Sequence, residues 1–237
     1  MRTLLIAMAL VLTGCDIAVG SDELPVGTAP ITKELALPPA FNQVVIIGDS
    51  IMSVSFDSER GPNYTGTVAH RLAAMEYKVA NMSRGGGTIK EFYQSKGWGA
   101  VNYVLRGPTA IVIELGWNDS SGRSTIEEFE QMYIGIISNI EVKSPDQETF
   151  CFVPIVAAYR YDTLTAEGSS RADYREVVRK IAAAGHCTLI DTEGWLSESL
   201  VNDGYHLPDG LHPGDYAQEL MANGIVEALT AGRGERR

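Results

Sequence analysis

Five short apolar runs punctuate this chain, and a stretch with helical spacing or breaker residues separates each from the next. The runs are "QVVIIGDS" (43–50), "KVANMS" (78–83), "TAIVIELGWND" (109–119), "ETFCFVPIV" (148–156) and "HCTLIDT" (186–192). Their length and β-branched content read as strands, and the third, the most apolar, reads as central. Strands that alternate with helices are joined by right-handed crossovers and therefore run parallel. The expected fold is α/β: a three-layer sandwich around a five-stranded parallel sheet, of flavodoxin-like type.

The intervening segments carry helix signals. "PNYTGTVAHRLAAMEY" has Pro62 near its start and Val68, Leu72 and Met75 at helical spacing. "TIKEFYQSKGWGAVNYVL" contains helix interrupted by Gly97 and Gly99. In "STIEEFEQMYIGIISNIEV", Ser124 and Glu127 have capping-box spacing. Ile126, Phe129, Tyr133, Ile136, Ile137 and Ile140 then make one apolar stripe. "RADYREVVRKIAAAG" is a fourth helix, stopped by Gly185. A last helix is expected after "LHPGDYAQEL", running to about Leu229.

The N-terminus is a separate region. "MRTLLIAMALVLTGC" places Arg2 before a short apolar run, Leu4 to Leu12. A spanning helix needs roughly 20 apolar residues, so the run reads as a signal peptide over 1–14. Its end, Leu12-Thr13-Gly14-Cys15, resembles the bacterial lipobox. That resemblance implies that Cys15 is lipidated and begins the mature chain. Residues 15–42, with Gly, Pro and acidic residues and no periodicity, read as a tether, and 43–232 as the folded domain. The implied location is the cell envelope, with the membrane reached only through the lipid anchor. A net charge of −11 argues against nucleic acid and against a polybasic membrane dock. Outside the cytosol Cys151 and Cys187 are free to form a disulfide. Neighbouring parallel strands rarely offer the Cβ separation a bridge needs, so the favoured expectation is two small buried thiols.

Open α/β sheets bind ligands at the carboxyl ends of their strands, and polar residues gather there in this chain. Asp49-Ser50 follows the first strand, "NMSRGGGT" (81–88) the second and "GWND" (116–119) the third, and "DGLHP" (209–213) precedes the last helix. Each segment alone has a plain reading as a turn, a loop or a helix start. A serine becomes a nucleophile when a neighbouring base takes its proton, and His212 is the candidate base. Asp209, three residues earlier, can orient the imidazole and stabilise its cation. The serine is not in a Gly-x-Ser-x-Gly elbow, which disfavours the larger α/β-hydrolases. No His/Cys/acidic cluster has metal-ligand spacing, no Gly-x-Gly-x-x-Gly follows the first strand, and no cofactor is expected.

In order, the four segments resemble the sequence blocks of the SGNH hydrolases, also called GDSL esterases and lipases. Gly48-Asp49-Ser50, Asn81 to Gly86, Gly116-Trp117-Asn118-Asp119 and Asp209-Gly210-Leu211-His212 carry the likeness, which spans about 43–228. Ile51 stands where the family name has Leu. The resemblance implies a Ser50, Asp209, His212 catalytic set and an oxyanion site from Ser50 N–H, Gly86 N–H and the Asn118 amide. Within the glycine run, Gly86 fits the donor position best and Gly85 next. Asp49 and Asp119 read as structural, bonding loop backbones. His70, His186 and His206 have no partner motif. The implied activity is hydrolysis of carboxylic esters of small molecules, glycans or lipids through an acyl-enzyme. Acyl transfer at the same site and a non-catalytic glycan- or acyl-binding protein are the alternatives. Tyr159, Arg160 and Tyr161, in the long segment after the fourth strand, are candidates either for a substrate pocket or for a solvated loop.

Overall fold

A computed structural model describes residues 41–53, 66–95, 108–143, 147–153, 169–191 and 212–231. Its five strands are β1 (Gln43–Gly48), β2 (Lys78–Asn81), β3 (Thr109–Glu114), β4 (Glu148–Phe152) and β5 (Thr188–Ile190). The described helices are α1 (Val68–Ala74), α2 (Ile89–Gln94), α3 (Ile126–Lys143), α4 (Arg171–Ala183) and α5 (Asp215–Ala231). All strand pairs are parallel, in the order β2-β1-β3-β4-β5. This is the flavodoxin-like order, with its switch point beside β1.

Burial explains the sequence pattern. Every residue of β1 and β3 is buried, as strands covered on both faces require. Val44, Ile46, Val112, Phe150 and Phe152 join a cluster with Val68 and Leu72 of α1 and Met221 and Ile225 of α5. Val45, Ile47, Ile111, Ile113 and Cys151 join the opposite cluster with Phe129, Tyr133 and Ile137 of α3 and Val177, Val178 and Ile181 of α4. The period-2 alternation of the strands thus divides the core into two layers.

Several expectations need correction. The capping box of α3 lies one residue later. The Thr125 N–H donates to Glu128 Oε2 at 3.3 Å, and the Glu128 N–H to Thr125 Oγ1 at 3.2 Å. Ser124 instead donates to the buried Asp119 carboxylate at 2.8 Å. The last helix begins at Asp215, inside the segment expected to precede it. The described part of the first helix starts at Val68 behind an N-cap, Thr67, while Pro62 lies outside the described residues. Phe41, assigned to the tether, is buried and packs edge-on against Phe150 with ring centroids 6.1 Å apart. The two cysteines are bonded, with Cα atoms 5.8 Å apart. Cys151 pairs in register with Leu189, and Cys187 precedes β5 in the bend after α4. That bend supplies the approach two regular parallel strands would not. Gly185 follows the C-cap of α4 as expected.

Candidate active site

The turn after β1 is built around a missing side chain. A Cβ on Gly48 would lie 2.9 Å from Met52 Cβ, 3.0 Å from Ser83 Oγ and 3.1 Å from the Glu114 carbonyl oxygen. Glycine therefore lets the chain turn tightly between β2 and β3 and deliver Ser50 at the sheet edge. Asp49 Oδ1 accepts from the Ile51 N–H at 2.8 Å, which fixes the turn from within. Asn81 fixes it from β2. Its amide donates to the Met52 carbonyl at 2.8 Å, and its Oδ1 accepts from the Ser83 N–H at 3.0 Å.

His212 comes from the other end of the domain. Its Nε2 lies 3.1 Å from Ser50 Oγ, although 162 positions separate them in sequence. The ring sits just before α5. That helix start is tied to α1 through buried Gln218, whose Oε1 accepts from the Val68 N–H at 2.8 Å. Asp209 lies outside the described residues, as do Cys15, Tyr159, Arg160, Tyr161 and His206. His70 bonds its own helix cap, with Nδ1 2.7 Å from Thr67 Oγ1.

The glycine-rich loop after β2 folds back on β1. The Arg84 N–H donates to the Gly48 carbonyl at 3.0 Å, and the Gly87 N–H donates to the Arg84 carbonyl at 2.9 Å. Gly86, with φ +70°, occupies the third position of this four-residue turn. A positive φ there is the type II pattern and favours glycine. The Gly87 N–H is thus spent inside the turn. Among the described residues the Ser50, Gly85 and Gly86 N–H groups make no hydrogen bond. The Gly86 N–H belongs to the central peptide of the turn.

Asn118 joins this loop to the serine turn. Its Nδ2 donates to Asp49 Oδ2 at 2.9 Å and to the Gly87 carbonyl at 3.1 Å. Asp119 accepts the Ile89 N–H at the start of α2, at 3.0 and 3.2 Å. Both aspartates bond loop backbones, in keeping with the structural reading. Asp49 also grips Asn118, a link that residue spacing did not announce.

Three acids lie buried behind the site. Burial is the main cause in each case and raises each carboxyl above its ordinary range. Asp49 is pushed up to about 7; the Ile51 N–H partly offsets the rise, and the charge of Asp119 adds to it. Asp119 is raised too, and the Ile89 N–H and Ser124 hydroxyl partly offset the effect of burial. Glu114 is held well above the glutamate range by burial and by Asp49. Its side chain is fully buried; the Asp49 N–H lies near enough to offset the rise in part, though neither carboxyl oxygen has a partner in good bonding geometry among the described residues. Tyr133, close enough to feel Glu114, donates to the Ile113 carbonyl at 2.8 Å. The roles of Glu114, Asn81 and Arg123 were not evident from the sequence. Asn81 carried a signal, as the first residue of the second block; the other two carried none.

A cavity of about 520 Å³ touches Gly48 and Gly87 and is walled by Met82, Phe92 and Leu115, with Arg84, Thr88 and Glu91 also lining it. Among the described residues no group of His, Cys, Asp and Glu is placed to hold a metal ion.

Residues 46–220 match the model of the GDSL-like lipase/acylhydrolase family. Solved structures share the fold. A lipase/acylhydrolase from Enterococcus faecalis is 21% identical with a TM-score of 0.60, over 80% of this chain and 96% of its own. The acetyl xylan esterase AlAXEase is 18% identical with a TM-score of 0.61, over 78% and 98%. The acetylxylan esterase Axe2 from Geobacillus stearothermophilus is 15% identical with a TM-score of 0.59, over 79% and 94%. No curated protein matches the chain in sequence.

Proposed function

The chain belongs to the GDSL-like lipase/acylhydrolase family, and within it we propose that the protein is a serine esterase that hydrolyses carboxylic acyl esters. The observation that carries this reading is the 3.1 Å approach of His212 Nε2 to Ser50 Oγ. In the proposed reaction Ser50 Oγ attacks the acyl carbon while its proton passes to His212 Nε2. The tetrahedral intermediate collapses as the ester C–O bond breaks, and His212 returns the proton to the departing alkoxide. Water then attacks the acyl-enzyme, giving its proton to His212. The acyl–Oγ bond breaks, Ser50 recovers the proton, and the carboxylic acid leaves. Asp209 orients the imidazole and stabilises its cation.

The oxyanion is assigned to the Ser50 N–H, the Gly86 N–H and the Asn118 amide. The commitment of the Gly87 N–H to the Arg84 carbonyl supports Gly86 over its successor in this role. The Asn118 amide has two hydrogens and two acceptors in the free protein. On this reading the bond to Asp49 stays and holds the amide, while the second hydrogen moves from the Gly87 carbonyl to the oxyanion. On this reading the substrate carries a compact acyl or sugar group. The acetyl xylan esterases among the structural neighbours point the same way. The test is hydrolysis of 4-nitrophenyl esters of graded acyl length. Ser50→Ala should abolish it with the melting temperature unchanged. A Ser50→Ala rate equal to wild type sinks the serine mechanism.

The same proposal places the enzyme at the cell envelope, lipidated at Cys15 and tethered by the residues that follow. One acyl chain gives only marginal membrane binding, so stable anchoring calls for more than one. No described helix is long and apolar enough to cross a membrane. Intact mass of the protein from its native membrane should place the mature N-terminus at Cys15 with added lipid. Another N-terminus without lipid mass overturns the anchor and leaves the esterase reading standing.

A further inference from the structure

The segment after β3 grips the glycine loop and the helix start that follows it at three points. Asn118 donates to the Gly87 carbonyl at 3.1 Å, Asp119 accepts the Ile89 N–H at 3.0 Å, and Arg123 donates through its guanidinium to the Gly86 carbonyl at 2.9 Å. The first two residues lie within the four blocks of the sequence resemblance. Arg123 does not. It follows Gly122, and its own N–H donates to the Asp119 carbonyl at 3.1 Å, so its backbone is fixed to the segment that carries Asn118. The other cations near the loop have acidic partners: Arg84 pairs with Glu91 at 2.8 Å and Lys90 with Glu128 at 3.3 Å. Among the described residues Arg123 pairs with no carboxylate, and its guanidinium is directed at a backbone oxygen.

That oxygen belongs to a delicate piece of chain. Three consecutive glycines, 85–87, give the backbone its greatest conformational freedom, and holding them in one shape costs entropy. The Gly86 N–H has no partner among the described residues to hold its direction, so its direction depends on what holds the rest of the turn. We propose that Arg123 is a positioning residue of the oxyanion site: by holding the Gly86 carbonyl it keeps the Gly86 N–H aimed, and it sets a positive charge at the carbonyl end of the same residue. Arginine suits both tasks, since it stays charged at any working pH and its planar fork fixes direction. Charge that develops only in the transition state responds to both, whereas the neutral ground-state ester gains little. The signature is therefore a loss in kcat rather than in binding.

This inference rests on the esterase reading, and the experiment separates the two. Wild type, Ser50→Ala, Arg123→Ala, Arg123→Gln and Arg123→Lys are compared on one aryl ester, with melting temperatures measured alongside. Arg123→Ala should lower kcat about tenfold and leave KM within about twofold. Arg123→Lys, which restores charge and a donor, should recover to within about threefold of wild type. Arg123→Gln, a donor without charge, should fall between Ala and Lys. An unchanged kcat in Arg123→Ala overturns the inference alone. So does a rise in KM without loss of kcat, or a loss that tracks a lower melting temperature and is not rescued by lysine. Absence of Ser50-dependent hydrolysis in the wild type overturns the esterase reading and this inference with it.

Discussion

Replacing Glu114 by glutamine should stabilise the protein, and by an amount that grows with pH. The wild-type carboxyl is fully buried close to Asp49 and Tyr133, and the nearby Asp49 N–H can be met equally by a glutamine oxygen. Its folded-state pKa is well above the ordinary glutamate value of 4.5, chiefly through burial. Above that value the unfolded chain releases the proton and the folded chain retains it. The folded state then binds more protons than the unfolded state, so wild-type stability falls as pH rises. Each pH unit in this window costs about 1.4 kcal/mol. The gain from glutamine accumulates at up to this rate above about pH 4.5 and levels off once the folded-state pKa is passed. Glutamine has the same shape and no proton to lose. Urea unfolding of both proteins at several pH values measures the difference. The two should be nearly equal at pH 4.5 and diverge steadily above it. A gap independent of pH, or a variant less stable than wild type at pH 7.5, refutes the reasoning.

Other consequences follow from the same structure. The Cys151–Cys187 bridge closes a sequence separation of 36 residues, and loop-entropy arguments put its contribution at about 4 kcal/mol. Unfolding in urea with and without reductant, or with both cysteines changed to serine, should show a loss of about 2–4 kcal/mol. Asn118→Ala should reduce kcat by about 10²–10³ with a small change in KM, as expected for one lost oxyanion donor; steady-state kinetics on an aryl ester read this directly. Gly48→Ala should destabilise the fold, since its Cβ would lie 2.9 Å from Met52 Cβ and 3.1 Å from the Glu114 carbonyl oxygen. Its melting temperature should fall, together with the fraction of active enzyme.

The strands were legible because β1 and β3 are buried on both faces and must be apolar throughout. The approach of Ser50 and His212 was legible as a candidate because open sheets place ligands at the carboxyl ends of their strands, where the two side chains meet. The misses have one physical character: each depends on a contact that forms only in the folded chain. Ser124 and Thr125 both stand three residues before a glutamate, and only the buried Asp119 decides which hydroxyl is left to cap α3. The disulfide depends on the bend before β5, which strand periodicity does not encode. Phe41 looked like tether until Phe150 supplied its packing surface. Glu114 carries no signal in the sequence, and its burial emerges only in the folded chain. Arg123 is one arginine in a polar stretch until the chain folds and the Gly86 carbonyl comes to 2.9 Å.

The central claim is that His212 activates Ser50, and covalent labelling tests it most directly. The native protein is treated with a fluorophosphonate, digested and read by mass spectrometry, beside His212→Ala and Ser50→Ala. The account predicts a single adduct on the peptide containing Ser50, formed far more slowly in His212→Ala and absent in Ser50→Ala. An adduct on another serine, or labelling of Ser50 at an unchanged rate without His212, contradicts it.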